Sequence, residues 1–136
     1  MKTLITALII MLITGANSYS QATVKKYKSF EFTLFNLEKD TGKMEWEATT
    51  VLVVINHEKK KIKIYSKTEQ DYDLLGHTKE YDKDNDADVL DFDAIDANGK
   101  RCDIRISKFR TPTTKHVCSI IITYGDYMLA YRLKDN

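Results

Sequence analysis

Four aspartates recur at every second position between residues 82 and 88, a spacing that can hold a metal ion. The first, third, fifth and seventh positions of the calcium-binding loop pattern are matched by Asp82, Asp84, Asp86 and Asp88. The rest of the pattern fails, because Ala87 replaces the glycine of the sharp turn and Asp93 replaces the bidentate glutamate. Two interpretations stay open: a calcium site made of the four aspartates alone, and a solvated turn that leads into a strand.

Cys102 and Cys118 are the second group that can do chemistry. Both fall on the apolar faces of strands predicted to be neighbours, and an oxidising compartment would join them. We therefore predict a Cys102–Cys118 disulfide, with two buried free thiols as the alternative. A further hypothesis adds His116, on the same predicted face as Cys118, as a metal ligand or as the base of a thiol enzyme or hydrolase. No fourth ligand and no catalytic signature accompanies it, so we do not expect an enzyme.

Aromatic side chains are the third group, and in a chain of this size they are expected to fill a core sooner than to line a binding cavity. They can line a cavity, as in lipocalin-type barrels, or fill a core. If they contact a ligand, the candidate residues are Trp46, Tyr124, Tyr127 and Tyr131.

The first 22 residues have the three-part layout of a secretory signal peptide. Lys2 precedes an apolar segment from Leu4 to Thr14, and small polar residues follow up to Ala22. Cleavage after Ser20 or after Ala22 satisfies the small-residue rule equally well. We therefore predict a signal peptide over 1–22, a single domain over 23–136 and a secreted or periplasmic location.

Charge and composition exclude some partners of that domain. Removal of residues 1–22 takes away one of the 21 basic residues and leaves 20 basic against 20 acidic. A net charge near zero argues against capture of nucleic acid or of an anionic membrane. The remaining chain has no apolar run long enough to span a membrane.

Apolar residues alternate with polar ones along almost all of the chain beyond residue 23, which indicates β-strands. Met44 to Val54 form one long predicted strand, and the ambiguous segment 68–76 is favoured as a strand over a short helix. Short polar connectors join the strands in series. The predicted fold is all-β, an antiparallel meander of about eight strands closed as an up-and-down barrel or half-barrel, with a β-sandwich as the alternative.

One hairpin can be set in register from the pattern alone. Leu90, Phe92 and Ala94 share a face with Cys102, Ile104 and Ile106 only if Ala94 lies opposite Cys102. That register leaves 97–99 as a three-residue loop with Gly99 in the left-handed region. On the other face, it places Asp91 opposite Arg105 and Asp93 opposite Asp103.

Three segments resemble a group of short exported bacterial β-proteins of unassigned function: KIKIYSKTEQDY (61–72), DANGKRCDI (96–104) and IIITYGDYMLAY (120–131). The resemblance implies export and a β fold, and it implies no activity. We expect a non-enzymatic exported domain that binds a small apolar ligand or a protein partner. The alternative is a structural or interaction module that responds to calcium.

Overall fold

Strands occupy most of the residues that the computed structural model describes, which are 24–39, 44–113 and 115–136. No helix occurs in these ranges, so none of their residues lies in a helix that could cross a membrane. The predicted signal peptide lies outside the described residues. Nine strands follow one another within the described ranges: β1 Val24–Asn36, β2 Glu47–Ala48, β3 Leu52–Asn56, β4 Lys61–Tyr65, β5 Gln70–Asp82, β6 Ala87–Asp96, β7 Arg101–Phe109, β8 Cys118–Thr123 and β9 Tyr127–Asp135.

Eight of these strands close into an antiparallel barrel. Each of β3 to β8 pairs with the next strand in the chain, and β1 closes the barrel by pairing with β3 on one side and β9 on the other. The short strand β2 is an extra strand that pairs with β1 alone among the described strands. The predicted all-β barrel is therefore confirmed, and the sandwich alternative is not adopted.

A β-bulge in β1 splits what the pattern predicts as one long strand from Met44 to Val54. The register between β1 and β9 shifts between Ser29 and Glu31. Up to Lys28, β1 pairs with β3, and beyond the shift it pairs with β2. The long strand is therefore wrong: its pairing with β1 is interrupted between Ala48 and Leu52, where the Val51 N–H donates to the Ser29 hydroxyl at 3.0 Å.

Aliphatic side chains fill the barrel interior. They come from alternate positions of β3, β4, β7, β8 and β9, and the least exposed of them, at 0–1 % of full exposure, are Val53, Ile62, Ile64, Ile104, Ile120, Ile122 and Leu133. Their burial supplies the main driving force for closure, at about 1.5–3 kcal/mol for each large side chain.

The β6–β7 hairpin has the register that the sequence predicts. Ala94 lies opposite Cys102, and Asp91 lies opposite Arg105. The backbone N–H of Asp96 donates to the carbonyl of Lys100 at 2.9 Å, which closes a loop over 97–99, and Gly99 has a φ of 79°. Segment 68–76 also follows its prediction, since β5 begins at Gln70.

Candidate functional site

An outward-facing pair of residues on β1 and β9 is buried, which shows that another part of the chain covers this side of the barrel. Thr33 and Ala130 lie opposite each other, and each is 2 % exposed. The Thr33 hydroxyl donates to the carbonyl of Glu45 at 2.6 Å. The segment 44–46, just before β2, therefore lies across the outer face of β1 and β9.

Between this segment and the outer face lies a groove of about 240 Å³. Apolar and aromatic side chains form most of its walls, and the principal ones are Met44, Trp46, Phe109, Ile121, Met128 and Ala130. We call this depression the Trp46 groove. Its walls come from segments far apart in the sequence, brought together by barrel closure and by the segment before β2.

The indole of Trp46 is held in place by a charged neighbour. The Arg132 guanidinium carbon lies 3.9 Å from the centre of the Trp46 ring. Arg132 also forms a 2.7 Å ion pair with Glu31, its cross-strand neighbour on β1. The guanidinium thus stacks on one indole face while its charge is balanced by the carboxylate.

His116 provides a polar group within the mostly apolar wall. Its Nε2 atom lies 2.8 Å from the Ser119 hydroxyl, and its ring meets Phe109 edge-on with the ring centres 4.7 Å apart. Burial lowers the pKa of His116, and the nearby positive charge of Arg132 lowers it further. Neutral imidazole and the hydroxyl can therefore offer one hydrogen bond to a ligand in the groove.

The sequence places His116 on the same face as Cys118, and the structure shows that this is wrong. Cys118 points into the barrel and is 1 % exposed, whereas His116 contacts the outward-facing Ser119. The two side chains lie on opposite sides of the barrel wall. The His116 imidazole therefore cannot act as a base for the thiol, and burial raises the pKa of Cys118 to about 12.

A second, larger depression of about 700 Å³ adjoins the Trp46 groove and is lined by residues of β5, β6, β7 and β8. Ile121 lines both depressions. The larger one is more polar, and its wall includes Asp91, Asp93, Asp103, Arg105 and Thr123. We call it the acidic depression.

The four aromatic residues predicted to contact a ligand do not form one site. Trp46 lies in the outer groove, while the Tyr131 ring packs 5.0 Å from Phe32 and its hydroxyl accepts a hydrogen bond from Gln70. Tyr131 also lines part of the groove. Tyr124 and Tyr127 stack on each other, 4.9 Å apart, away from the groove. Trp46 and Tyr131 therefore share one depression, while Tyr124 and Tyr127 line another of about 260 Å³.

Three of the four predicted calcium ligands have carboxylates that contact different groups of the chain, and Asp84 donates its backbone N–H to Asp82. Asp82 accepts hydrogen bonds from Asn85 inside the turn, and Asp88 accepts two from the Arg110 guanidinium. Asp86 accepts from the hydroxyls of Tyr81 and Thr111. No group of three or more histidine, cysteine, aspartate or glutamate side chains that could hold a metal occurs within the described ranges. The structure therefore does not gather Asp82, Asp84, Asp86 and Asp88 into a calcium site.

The predicted disulfide is absent, since Cys102 and Cys118 are both free and buried. The register between β7 and β8 places Cys118 opposite Lys108. Cys102 is six residues away along β7, which corresponds to about 20 Å. A disulfide needs Cα atoms about 4.4–6.8 Å apart, so these two thiols cannot meet in this fold.

We expect the stability of the purified protein to be the same with and without a thiol reductant. A disulfide closing a loop of about 15 residues would contribute about 3 kcal/mol, and a reductant would remove it. Melting curves with and without reductant test this, together with a count of reactive thiols in denaturant. A count below two thiols per chain would contradict the structure.

Comparison with known protein families, with curated proteins and with solved structures finds no match to this chain. The fold and the groove define it as an eight-stranded antiparallel barrel with an external apolar groove.

Proposed function

We propose that the protein is an exported, non-enzymatic binding protein that holds a small apolar ligand in the Trp46 groove. One observation carries the proposal: apolar side chains line a concave site on the outside of the barrel, while aliphatic side chains fill the inside. The groove volume of about 240 Å³ is just below the ~300–1,000 Å³ of pockets for drug-sized ligands. A compact ligand therefore fits better than a long lipid. Export rests on the signal-peptide pattern of residues 1–22.

The polar groups of the groove favour binding over catalysis. Ser119 and His116 resemble a nucleophile and its base, but Ser119 lies within β8, which is paired on both sides. The N–H groups of β8 are therefore bonded within the sheet and are not free to stabilise an oxyanion. In that setting the hydroxyl and the imidazole serve to orient a ligand.

Trp46 allows a direct test, because it is the only tryptophan in the chain. We expect 1-octanol, added below its solubility limit, to change the intensity or wavelength of Trp46 emission in a saturable way. Isothermal titration calorimetry should give the same dissociation constant. A linear, unsaturable response would contradict the proposal.

An Ile121→Ala variant should bind octanol about 3–10-fold more weakly, because it removes up to three carbon atoms of apolar contact from the groove wall. Leu75→Ala is the matched control, since Leu75 is 46 % exposed on β5 and lines neither depression. Equal affinity for octanol in Ile121→Ala and Leu75→Ala would show that the ligand binds elsewhere.

A further inference from the structure

The acidic depression lies within reach of a ligand bound in the Trp46 groove. Ile121 forms a wall of both, and the β7–β8 register places Arg105 opposite Ile121 and Asp103 opposite Thr123. Asp103 is thus the diagonal neighbour of Ile121, at a spacing of roughly 7–8 Å. A molecule a few bonds long can span that distance.

Two carboxylates face each other at this point. Asp93 on β6 lies directly opposite Asp103 on β7, and both are exposed on the outer face. Like charges in directly opposite positions destabilise a β-sheet. The protein therefore has an arrangement here that costs stability and that a bound cation would relieve.

The cations nearby do not balance this pair. Arg105 already forms ion pairs with two other carboxylates: its Nε atom lies 2.8 Å from Asp91, and its guanidinium lies 3.7 Å from Glu80. Arg101, two residues before Asp103 on β7, forms no ion pair with Asp93 or Asp103 in the part of the chain that the structure describes. The negative charge beside Ile121 is consequently available to a ligand.

This surface offers less to an anionic ligand than to a cationic one. Arg132 is the cation that lines the Trp46 groove, and its charge is already balanced by Glu31 while its plane is stacked on the indole. An anionic ligand would have to compete with Glu31 for the guanidinium. A cationic ligand meets two carboxylates without such competition.

We propose that the ligand of the Trp46 groove is a small amphiphile with a cationic group, such as a primary alkylamine. Its apolar part lies along Ile121 and Trp46, and its ammonium group lies beside Asp93 and Asp103. This inference rests on the proposed function and adds the chemical class of the ligand. Charge complementarity then fixes the orientation of the ligand in the groove.

The test compares three probes with the same chain and different head groups: octylamine, 1-octanol and octanoate. We expect octylamine to bind about 3–10-fold more tightly than octanol at low salt, with octanoate the weakest. The preference should shrink as salt is raised, because the carboxylates are exposed and screened. Trp46 emission and calorimetry give the three dissociation constants.

Asp93→Asn and Asp103→Asn should each weaken octylamine binding while leaving octanol binding unchanged. Each should also leave the melting temperature of the free protein equal or slightly higher, because a like-charge pair is removed. Asp73→Asn is the control, since Asp73 pairs with Lys61 and lines neither depression. It should leave the octylamine preference intact.

The outcomes separate the two proposals. If octanol binds saturably and octylamine binds no more tightly, or if the preference survives in both asparagine variants, the inference about charge is overturned and the apolar site stands. If 1-octanol does not alter Trp46 emission in a saturable way, the proposed function itself is overturned.

Discussion

Replacing Ile120 with alanine should lower the free energy of unfolding by about 2–5 kcal/mol, because it opens a cavity inside the barrel. Ile120 is completely buried. It lies between Ile106 on β7 and Tyr131 on β9, which are its two cross-strand partners. Strands held on both sides by a closed sheet cannot easily move inward to fill the space. Urea denaturation followed by circular dichroism measures the change.

The adjacent residue supplies a matched control for this prediction. Ile121 has the same side chain but points outward, is only partly buried and lines the Trp46 groove. Ile121→Ala should lower the free energy of unfolding much less than Ile120→Ala does. Ile121→Ala should also weaken octanol binding, whereas Ile120→Ala should not, because Ile120 does not line the groove. Equal losses of stability in the two variants would contradict the inside–outside assignment of β8.

The register of the β6–β7 hairpin could be predicted because two local constraints agree. Side chains alternate between the faces, so the apolar set of β6 must face the apolar set of β7. The loop between them is short and contains Gly99, which accepts the positive φ of that position. When the connection is short, parity and turn chemistry leave a single register.

The cysteine distance could not be predicted, because the connection between β7 and β8 is long. With residues 110–117 between the strands, turn chemistry does not set which residues lie opposite each other. Alternation correctly places Cys102 and Cys118 on the inner face, and their burial shows this. The alternation pattern does not determine how far Cys118 is offset from Cys102 along the strand direction.

The Trp46 groove could not be predicted from the sequence, for a different reason. Its residues come from the segment before β2, from the β5–β6 turn, from β7 to β9 and from the β7–β8 connection, so they meet only when the barrel closes. The alternation pattern treats every outward position as exposed. Outward residues such as Thr33 and Ala130 become buried because another segment crosses them.

Asp96→Ala should destabilise the protein by about 2–4 kcal/mol, because one carboxylate serves both the hairpin loop and a buried tyrosine. One oxygen accepts the backbone N–H groups of Asn98 and Lys100, both at 2.9 Å. The other accepts the hydroxyl of Tyr124 at 2.8 Å, and Tyr124 is 5 % exposed. Removing the carboxylate leaves that hydroxyl buried without its acceptor.

Acid should narrow the difference in melting temperature between the wild type and Asp96→Ala. Burial acts to raise the pKa of Asp96, but the N–H groups of Lys100 and Asn98 and the Tyr124 hydroxyl outweigh it, so the net pKa is lowered. A carboxyl group whose pKa is lowered in the folded state contributes its full stabilisation at pH values above its ordinary pKa of 3.8. That stabilisation is lost as the pH falls through the folded-state pKa. The gap in melting temperature should therefore be full at pH 7 and smaller at pH 3.

A double-mutant cycle separates the tyrosine contact from the loop contacts. Tyr124→Phe removes the hydroxyl that needs an acceptor, so Asp96→Ala in that background loses only its loop hydrogen bonds. The double variant should therefore be less destabilised than the sum of the two single variants, by about 0.5–3 kcal/mol. Strict additivity would show that Asp96 stabilises the loop alone. Because β6, the loop and Tyr124 meet at this carboxylate, a coupled result would show that the loop and the end of β8 are stabilised as one unit.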